Sequence, residues 1–318
     1  MKASDLYLVD KDLREAAQVM SSDNLTIENL QAYRNKVLDH AKTNIDSHLD
    51  VTLEKHKVYY ENIEVPIILF RPKKATDAKP IPVYIYIHGG GMVSGGAHLD
   101  NEDNAFLAHE LECIVISIDY RLAPETIFPG QLEDCYAVLK WVKNNADKLN
   151  IDNTRIAIGG SSAGGCLAAS LAQLALDRNE VNIIFQNLHI PMLDDRTVFK
   201  NHYNCYTGHF GWTQQMNEFA WKMYLGDAKH ELEPNNYAVP ARRGNLENLP
   251  PTLITIGSLD LFVEEAMSYA RRLVLSGVPT ELHVYSGLYH LGELIPGTRI
   301  HKKLLNDRLY SMKRAFYD

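Results

Sequence analysis

The stretch "GGSSAGG", residues 159–165, sets two hydroxyl groups among glycines, between the strand-like run "RIAI" and the helix-like run "CLAASLAQLAL". The spacing G-x-S-x-G centred on Ser162 is typical of a nucleophile at a sharp strand-to-helix turn, where crowded backbones leave little room for neighbouring side chains. The positive end of the helix dipole then faces the reaction centre. Ser161 is the alternative nucleophile, but its own frame ends at Ala163 rather than at glycine. We therefore predict that Ser162 is the nucleophile.

A second glycine cluster, "HGGG" (residues 88–91), follows the strand-like run "PVYIYI". Consecutive glycines let backbone N–H groups face a ligand with no Cβ in the way, and a tetrahedral oxyanion needs such donors. A phosphate-binding loop is the alternative for "GGSSAGG", but that stretch lacks the P-loop lysine and does not follow the first strand of the sheet. The two clusters together favour an oxyanion site beside a serine nucleophile.

An acid and a base are expected further along the chain, in the order serine, carboxylate, histidine. Asp260 follows the strand-like run "PTLITIGS", and His290 follows "TELHVYSG". His283 is the competing base, but it alternates with apolar residues inside its strand and is predicted to lie on a sheet face. Ser162 would then attack, His290 would take its proton, and Asp260 would hold the imidazole in the required tautomer.

The elements that must position these side chains alternate between strands and helices from about residue 80 onwards. The strands read as continuous valine and isoleucine runs, which is typical of a mostly parallel sheet covered by helices on both faces. The sequence therefore predicts an α/β fold, in which ligands gather at the carboxyl ends of the strands. Before this region, "KVYYENIEVPIILFRP" predicts a strand pair, with Pro66 indicating an edge strand or a bulge.

The predicted domains are helical cap segments at 1–50, a core formed by 51–195 and 237–318, and an inserted segment at 196–236. The insertion does not continue the alternation of strands and helices, and it is rich in aromatic residues. We expect it to pack with the N-terminal helices as a lid over the site. Its aromatic side chains would then either contact substrate or fill the core of the lid itself.

The composition sets further limits. A net charge of −8 over 318 residues argues against nucleic acid or an anionic membrane surface as partner. The four cysteines form no C-x-x-C pair, and the histidines show no metal-ligand spacing, so neither a disulfide framework nor a metal or other cofactor is expected. Charges near the N-terminus do not fit a signal peptide, and no apolar window is as long as a membrane span; we therefore expect a cytoplasmic protein.

The motifs resemble those of the hormone-sensitive-lipase-like family of α/β-hydrolase carboxylesterases, over roughly residues 55–295. The matching stretches, in chain order, are "HGGG", "DYRLAPE", "FPGQLEDCYAVLKWV", "GGSSAGG", "LPPTLITIGSLDLFVEE" and "YARRLVLSGVPTELHVYSGLYH". The resemblance implies an α/β-hydrolase core with a cap and hydrolysis of short-to-medium acyl esters. It also implies oxyanion donors at the N–H groups of Gly90, Gly91 and Ala163. Members of the family often form homodimers through an edge strand, here "TELHVYSG".

The sequence departs from the family pattern beside each catalytic position. Ser161 replaces the usual Asp or Thr, residues 261–263 replace the usual Pro-Leu-Arg, and Leu291-Gly292 replaces the usual Gly-Phe after the histidine. The same triad would also serve an amide or lactone hydrolase. A non-catalytic receptor on this scaffold, as in related plant hormone receptors, is disfavoured because His290 is retained. Within "DYRLAPE", Arg121 and Glu125 are interpreted as supports for the glycine loop, and Asp134 as a structural contact.

Overall fold

The computed structural model describes residues 3–19, 24–39, 48–74, 79–199, 206–226 and 237–318. In these ranges an eight-stranded sheet lies between two layers of helices, which is the predicted α/β architecture. The strands are β1 (Val51–Tyr60), β2 (Ile63–Pro72), β3 (Ile81–Ile87), β4 (Ile114–Ile118), β5 (Ile151–Ser161), β6 (Phe185–His189), β7 (Thr252–Gly257) and β8 (Thr280–Tyr285). The helices are α1 (Arg14–Val19), α2 (Leu30–Asp39), α3 (Asn101–Glu110), α4 (Gly130–Asn144), α5 (Ala146–Leu149), α6 (Ala163–Arg178), α7 (Gln214–Leu225), α8 (Val263–Leu275) and α9 (Arg299–Tyr317).

The sheet has the strand order β1-β2-β4-β3-β5-β6-β7-β8. β1 and β2 run antiparallel to each other, as do β2 and β4, and all other neighbouring strands are parallel. The strand order changes direction at β3, so a crevice opens beyond the carboxyl ends of β3 and β5. Ile87, the last residue of β3, pairs with Gly160 of β5. This register brings the loop after β3 next to the serine turn.

Helices cover both faces of the sheet and explain the continuous apolar strands. Ile85 and Ile87 of β3 belong to the core that α4, α6 and α8 share, whereas Tyr84 and Tyr86 belong to the core beneath α3 and α9. All four side chains are buried. Polar residues at alternate positions are not favoured in a strand that is covered on both faces, because neither face is exposed to water.

The interpretation of Pro66 as an edge or bulge residue is wrong. β2 lies between β1 and β4, and its register with β1 is regular at Pro66. The ladder to β4 covers only residues 67–70 of β2, so Pro66 lies just beyond it. The carbonyl oxygen of Pro66 accepts a hydrogen bond from the N–H of Asp119, at 3.0 Å. An inner strand tolerates proline here because no ladder bond needs its missing N–H.

The N-terminal helix α2 is tied to the loops that support the glycine cluster. Arg34 Nε donates to the carbonyl oxygen of Val93 at 2.7 Å, and Nη2 donates to that of Ala123 at 2.8 Å. The same guanidinium binds both carboxylate oxygens of Glu125, at 2.7 and 2.8 Å. Such a planar fork orders several acceptors at once. The support role expected for Glu125 is therefore exercised through Arg34.

A second ion pair fixes the start of the same loop. The side chain of Arg121 binds the carboxylate of Asp134 on α4 at distances from 2.6 Å, and the N–H of Arg121 donates to it at 2.9 Å. Asp134 is fully buried, whereas the Arg121 side chain is about half exposed. A buried carboxylate needs such donors, so this pair has the structural role that the sequence indicated for Asp134.

His88, the first residue of the "HGGG" motif, holds the loop after β3 from inside. Its ring is fully buried and stacks on the ring of Tyr120, with centroids 4.2 Å apart. The ring atom Nδ1 lies 2.7 Å from the carbonyl oxygen of Gly89, which can only accept, so Nδ1 carries the proton. Burial lowers the pKa of His88 to about 4. The imidazole is therefore neutral in the folded protein at neutral pH.

We expect His88 to make the folded state less stable as the pH falls from 6.5, the ordinary pKa of histidine, towards 4. The unfolded state takes up a proton in this window and the folded state does not, so the free energy of unfolding decreases as the pH falls. In His88→Asn, whose amide nitrogen can replace Nδ1, the loss of unfolding free energy across the window should be smaller by about 2–3 kcal/mol. Urea unfolding at several pH values measures this difference, and equal losses in both proteins would contradict it.

Candidate active site

The turn between β5 and α6 holds Ser162 in an unusual backbone conformation. Its φ is 56° and its ψ is −115°, a region that residues with a Cβ adopt only under strain. Three backbone hydrogen bonds hold it there. The N–H of Ser162 donates to the carbonyl oxygen of His189 at 2.8 Å, and its carbonyl oxygen accepts from the N–H groups of Met192 and Cys166, both at 3.1 Å. The turn projects the side chain beyond the carboxyl edge of the sheet.

Glycine is required on both sides of this serine. A Cβ on Gly160 would overlap the backbone of Gly164, and a Cβ on Gly164 would overlap the carbonyl oxygen of Ile87. A Cβ on Gly165 would come within 2.9 Å of the Pro191 side chain. The backbone crowding that the sequence pattern predicted is therefore present. It comes from β3 as well as from the turn between β5 and α6.

The structure brings Ser162, His290 and Asp260 together in one chain of hydrogen bonds. His290 Nε2 lies 3.1 Å from Ser162 Oγ, and His290 Nδ1 lies 2.7 Å from Asp260 Oδ2. All three residues are buried, with exposed fractions of 3%, 1% and 0% for the serine, the histidine and the aspartate. The other carboxylate oxygen, Oδ1, accepts the N–H of Phe262 at 2.9 Å. With Nδ1 protonated towards the carboxylate, Nε2 is free to accept the serine proton.

Donors for an oxyanion lie beside the serine. Gly90 and Gly91 have φ values of 112° and 64°, which turn the backbone after β3 towards the crevice. In the described part of the chain, their N–H groups donate to no other residue. Ala163 is the first residue of α6, so its N–H has no acceptor within the helix. The predicted donors at Gly90, Gly91 and Ala163 are therefore available to a ligand.

The competing residues from the sequence lie elsewhere. His283 is on β8, at the edge of the sheet, where its ring contacts the carboxylates of Glu281 at 3.5 Å and Asp307 at 3.3 Å. Ser161 is the last residue of β5 and pairs with His189 in the ladder to β6. Ser161 has no hydrogen bond to His290 and His283 has none to Ser162, so the geometry favours Ser162 over Ser161 and His290 over His283.

The described part of the inserted segment, residues 206–226, lies directly on the site. A Cβ on Gly211 would overlap the carbonyl oxygen of His290, and a Cβ on Gly91 would come within 2.6 Å of the Trp212 ring. Trp212 is buried, and the centroid of its ring lies 6.3 Å from that of His290. Phe210 packs on Tyr289 and shares a core with Leu13 from the N-terminal segment. Tyr203, another aromatic residue of the insertion, lies outside the described residues.

The sequence reasoning did not single out His189 or Glu293, which form a buried contact next to the triad. His189 Nε2 lies 3.2 Å from Glu293 Oε1. A signal for His189 was available, because it ends a predicted parallel strand at the same edge of the sheet as the other site residues. Glu293 had no such signal, since it lies in an irregular segment after His290.

Three further features concern the described ranges. No group of three or more His, Cys, Asp or Glu side chains there is arranged to hold a metal ion. None of the helices in these ranges is long and apolar enough to cross a membrane. Cys113, Cys135 and Cys166 are buried and free, and Cys205 lies outside the described residues.

Comparisons with known proteins agree with this fold. Residues 84–292 match a family described as having the alpha/beta hydrolase fold. The chain is 34% identical to an arylesterase of Saccharolobus solfataricus, over 74% of each protein. It is 33% identical to the carboxylesterase NlhH of Mycobacterium tuberculosis, over 73% of each.

Solved structures show the same fold over almost the whole chain. Esterase LipW of Mycobacterium marinum has a TM-score of 0.89 at 34% identity and covers 100% of this chain and 98% of its own. A bacterial heroin esterase has a TM-score of 0.87 at 32% identity and covers 98% of this chain and 99% of its own. The family match over residues 84–292 spans both glycine clusters. With its serine turn at the edge of a mostly parallel sheet, the chain thus belongs to the hormone-sensitive-lipase-like carboxylesterases of the α/β-hydrolase fold, and it is a carboxylic ester hydrolase.

Proposed function

We propose that the protein is a serine carboxylesterase in which Ser162 is the nucleophile, His290 the general base and acid, and Asp260 the residue that orients the imidazole. The observation that carries the proposal is the continuous chain of hydrogen bonds from Ser162 Oγ through His290 to Asp260, at 3.1 and 2.7 Å. Ester hydrolysis needs an activated hydroxyl, and a neutral imidazole held by a buried carboxylate supplies the base.

In the acylation step, Ser162 Oγ attacks the carbonyl carbon of the ester while its proton moves to His290 Nε2. The carbonyl π electrons move to the oxygen, and the resulting oxyanion accepts hydrogen bonds from the N–H groups of Gly90, Gly91 and Ala163. Each such donor stabilises the transition state by roughly 3 kcal/mol. The tetrahedral intermediate then expels the alcohol oxygen, which takes the proton from Nε2 and leaves an acyl ester on Ser162.

Deacylation repeats the sequence with water as the nucleophile. His290 Nε2 takes a proton from water as the hydroxyl oxygen attacks the acyl carbon, and the same three N–H groups bind the oxyanion. Collapse breaks the bond to Ser162 Oγ, which recovers the proton from Nε2 and releases the carboxylic acid. In both steps Asp260 stabilises the imidazolium that forms. The second oxygen of Asp260 accepts the Phe262 N–H, which keeps the carboxylate oriented.

The segments 1–50 and 196–236 are proposed to act as a cap over this site, with 51–195 and 237–318 as the catalytic core. Trp212 against Gly91 and Gly211 against His290 support this division. A buried tryptophan beside the oxyanion donors leaves limited space for the acyl group. We infer a preference for short-to-medium acyl chains. Amide or lactone hydrolysis on the same triad remains an outcome that substrate profiling distinguishes.

A cytoplasmic location stays a prediction. It is supported by the free thiols of Cys113, Cys135 and Cys166, whose pKa values burial raises. Thiols held in this protonated form are unreactive and persist in a reducing compartment.

Replacing the nucleophile tests the proposal directly. We expect Ser162→Ala to lower kcat for p-nitrophenyl acetate and butyrate by about four to six orders of magnitude, because the attacking oxygen is lost. Ser161→Ala, which removes the neighbouring hydroxyl, is the matched control and should retain most activity. Steady-state assays measure both. Undiminished turnover by Ser162→Ala would reject the assignment, and tight substrate binding without turnover by the wild type would favour a receptor.

The inferred acyl preference is tested with p-nitrophenyl esters from acetate to palmitate. We expect kcat/KM to be highest among the shorter esters and to fall towards palmitate, since a long chain must displace the buried aromatic segment around Trp212. Initial rates below the critical micelle concentration of each ester measure the preference. A maximum at laurate or a longer chain would contradict it.

We also propose that the chain forms a homodimer through β8. β8 is an edge strand, with Leu282 and Val284 exposed at 36% and 43%, and the adjoining α8 exposes Leu275 at 69%. Exposed apolar groups along a free strand favour pairing with another copy. Sedimentation equilibrium should give twice the chain mass of 36.0 kDa. Leu282→Glu should give the monomer, whereas Tyr59→Glu on the opposite edge strand should not; a monomeric wild type would refute the proposal.

A further inference from the structure

A second acid–imidazole contact lies buried behind the proposed triad. His189 ends β6 and is only 6% exposed. Its Nδ1 lies 2.8 Å from the hydroxyl oxygen of Thr255 on β7, and its Nε2 lies 3.2 Å from Glu293 Oε1. Glu293 is 4% exposed, and its other oxygen, Oε2, has no hydrogen-bond partner among the described residues. A buried carboxylate that lacks part of its hydrogen bonding is costly, so its retention calls for an explanation.

Both partners are connected to the reacting groups. The backbone carbonyl oxygen of His189 accepts the N–H of Ser162 at 2.8 Å, so the residue that holds the nucleophile turn also carries the imidazole. Glu293 follows His290 by three positions, in the short 3-10 helix Gly292–Leu294. The carbonyl oxygen of Glu293 lies 2.7 Å from His301 Nδ1 on α9. The loop of His290 is therefore fastened to β6 through a side chain and to α9 through its backbone.

Glu293 carries a negative charge despite its burial. Burial alone would raise its pKa, but the hydrogen bond from His189 and the nearby imidazoles of His189 and His290 outweigh that effect, so the pKa is lowered. A carboxylate that senses His290 electrostatically must also act on it, because the interaction is mutual. His290 is hydrogen-bonded to the buried carboxylate of Asp260, and a second buried carboxylate, that of Glu293, follows it by three positions in the same loop.

We propose that Glu293 and His189 are positioning residues for ester hydrolysis: Glu293 anchors the loop of His290 to β6 through His189 and places a second negative charge near the imidazolium that forms during catalysis. This inference rests on the proposed roles of Ser162 and His290. Glu293 contacts neither Ser162 nor the oxyanion donors, so it acts through His290. Its charge stabilises the protonated imidazole relative to the neutral one.

Other ionisable groups face this contact and must be separated from it. Asp260 faces His290 from the loop after β7, His301 faces Glu293 from α9, and Tyr289 lies in the same loop as His290. Asp100, just before α3, interacts electrostatically with Glu293. Burial, and the nearby Asp103, raise the pKa of Asp100 to about 7. It therefore titrates near neutral pH and needs a control of its own.

The decisive experiment is the pH profile of kcat/KM for a p-nitrophenyl ester. Glu293→Gln keeps the shape and a hydrogen-bonding group but removes the charge. The acid limb, which reports His290 in the free enzyme, should move to lower pH by about one unit, because the imidazolium loses a stabilising charge. KM should change little. An acid limb that coincides with that of the wild type would overturn the proposal.

Two further variants separate anchoring from charge and keep the test decisive if Glu293→Gln does not fold. Glu293→Leu removes the anchor as well, so its kcat at the pH optimum should fall at least tenfold below that of Glu293→Gln. His189→Gln leaves the carboxylate without its imidazole partner, so the acid limb should move to higher pH, opposite to Glu293→Gln. Shifts of the same sign in His189→Gln and Glu293→Gln, or equal kcat for Glu293→Leu and the wild type, would count against the proposal.

The matched controls are Glu281→Gln, a carboxylate at the outer strand β8, and Asp100→Asn. Both should keep the acid limb of the wild type, and a shift in Asp100→Asn as large as that in Glu293→Gln would assign the effect to Asp100 instead. Ser162→Ala and His290→Ala are assayed alongside. If these two retain full turnover, the proposed function fails; if they lose it and Glu293→Gln keeps the wild-type profile, only the present inference fails.

Discussion

The strained backbone of Ser162 is the constraint on which the rest of the site depends. A residue with φ of 56° and ψ of −115° is held only where its surroundings determine it, and here β6 and the chain after it supply two of the three backbone hydrogen bonds. The glycines at 160 and 164 allow β3, β5 and α6 to approach closely enough to make that turn. If the turn relaxed, the hydroxyl would leave the 3.1 Å contact with His290.

Burial gives these contacts their strength and also restricts what can lie near them. Electrostatic interactions in a site that excludes water are stronger than in water, so the hydrogen bond between Asp260 and His290 is little screened by solvent. The same burial penalises any unpaired polar atom. Asp260 satisfies this requirement with His290 and the Phe262 N–H, whereas Glu293 leaves one oxygen without a partner. That asymmetry distinguishes the carboxylate that is hydrogen-bonded to His290 from the one that contacts His189.

Segments far apart in the chain hold the loops of the site in place. Arg34, near the N-terminus, binds carbonyl oxygens on two loops and the carboxylate of Glu125. Leu13 packs in the same apolar cluster as Phe210 and Tyr289, next to His290. The edge of the sheet that carries Ser162 is thus braced by residues from the N-terminal segment, which couples the order of the loops to the packing of the N-terminal helices.

The sequence by itself determined the α/β architecture, the serine turn and the glycine loop. It also singled out Asp260 and His290 as candidate acid and base, roles that stay a prediction. Each of these can be predicted from a short stretch of sequence. The spacing of hydrophobic residues, the placement of glycines and the position of a residue after a strand all depend on a few neighbouring residues. The prediction that Pro66 marks an edge strand or a bulge was wrong. No local pattern indicates the pairing of Arg34 with Glu125 or of His189 with Glu293. Whether a strand is inner or outer, and which distant side chains meet, depends on the assembled sheet. Only tertiary structure decides these contacts, because a short side chain can bond another only after folding has fixed both backbones within a few ångströms.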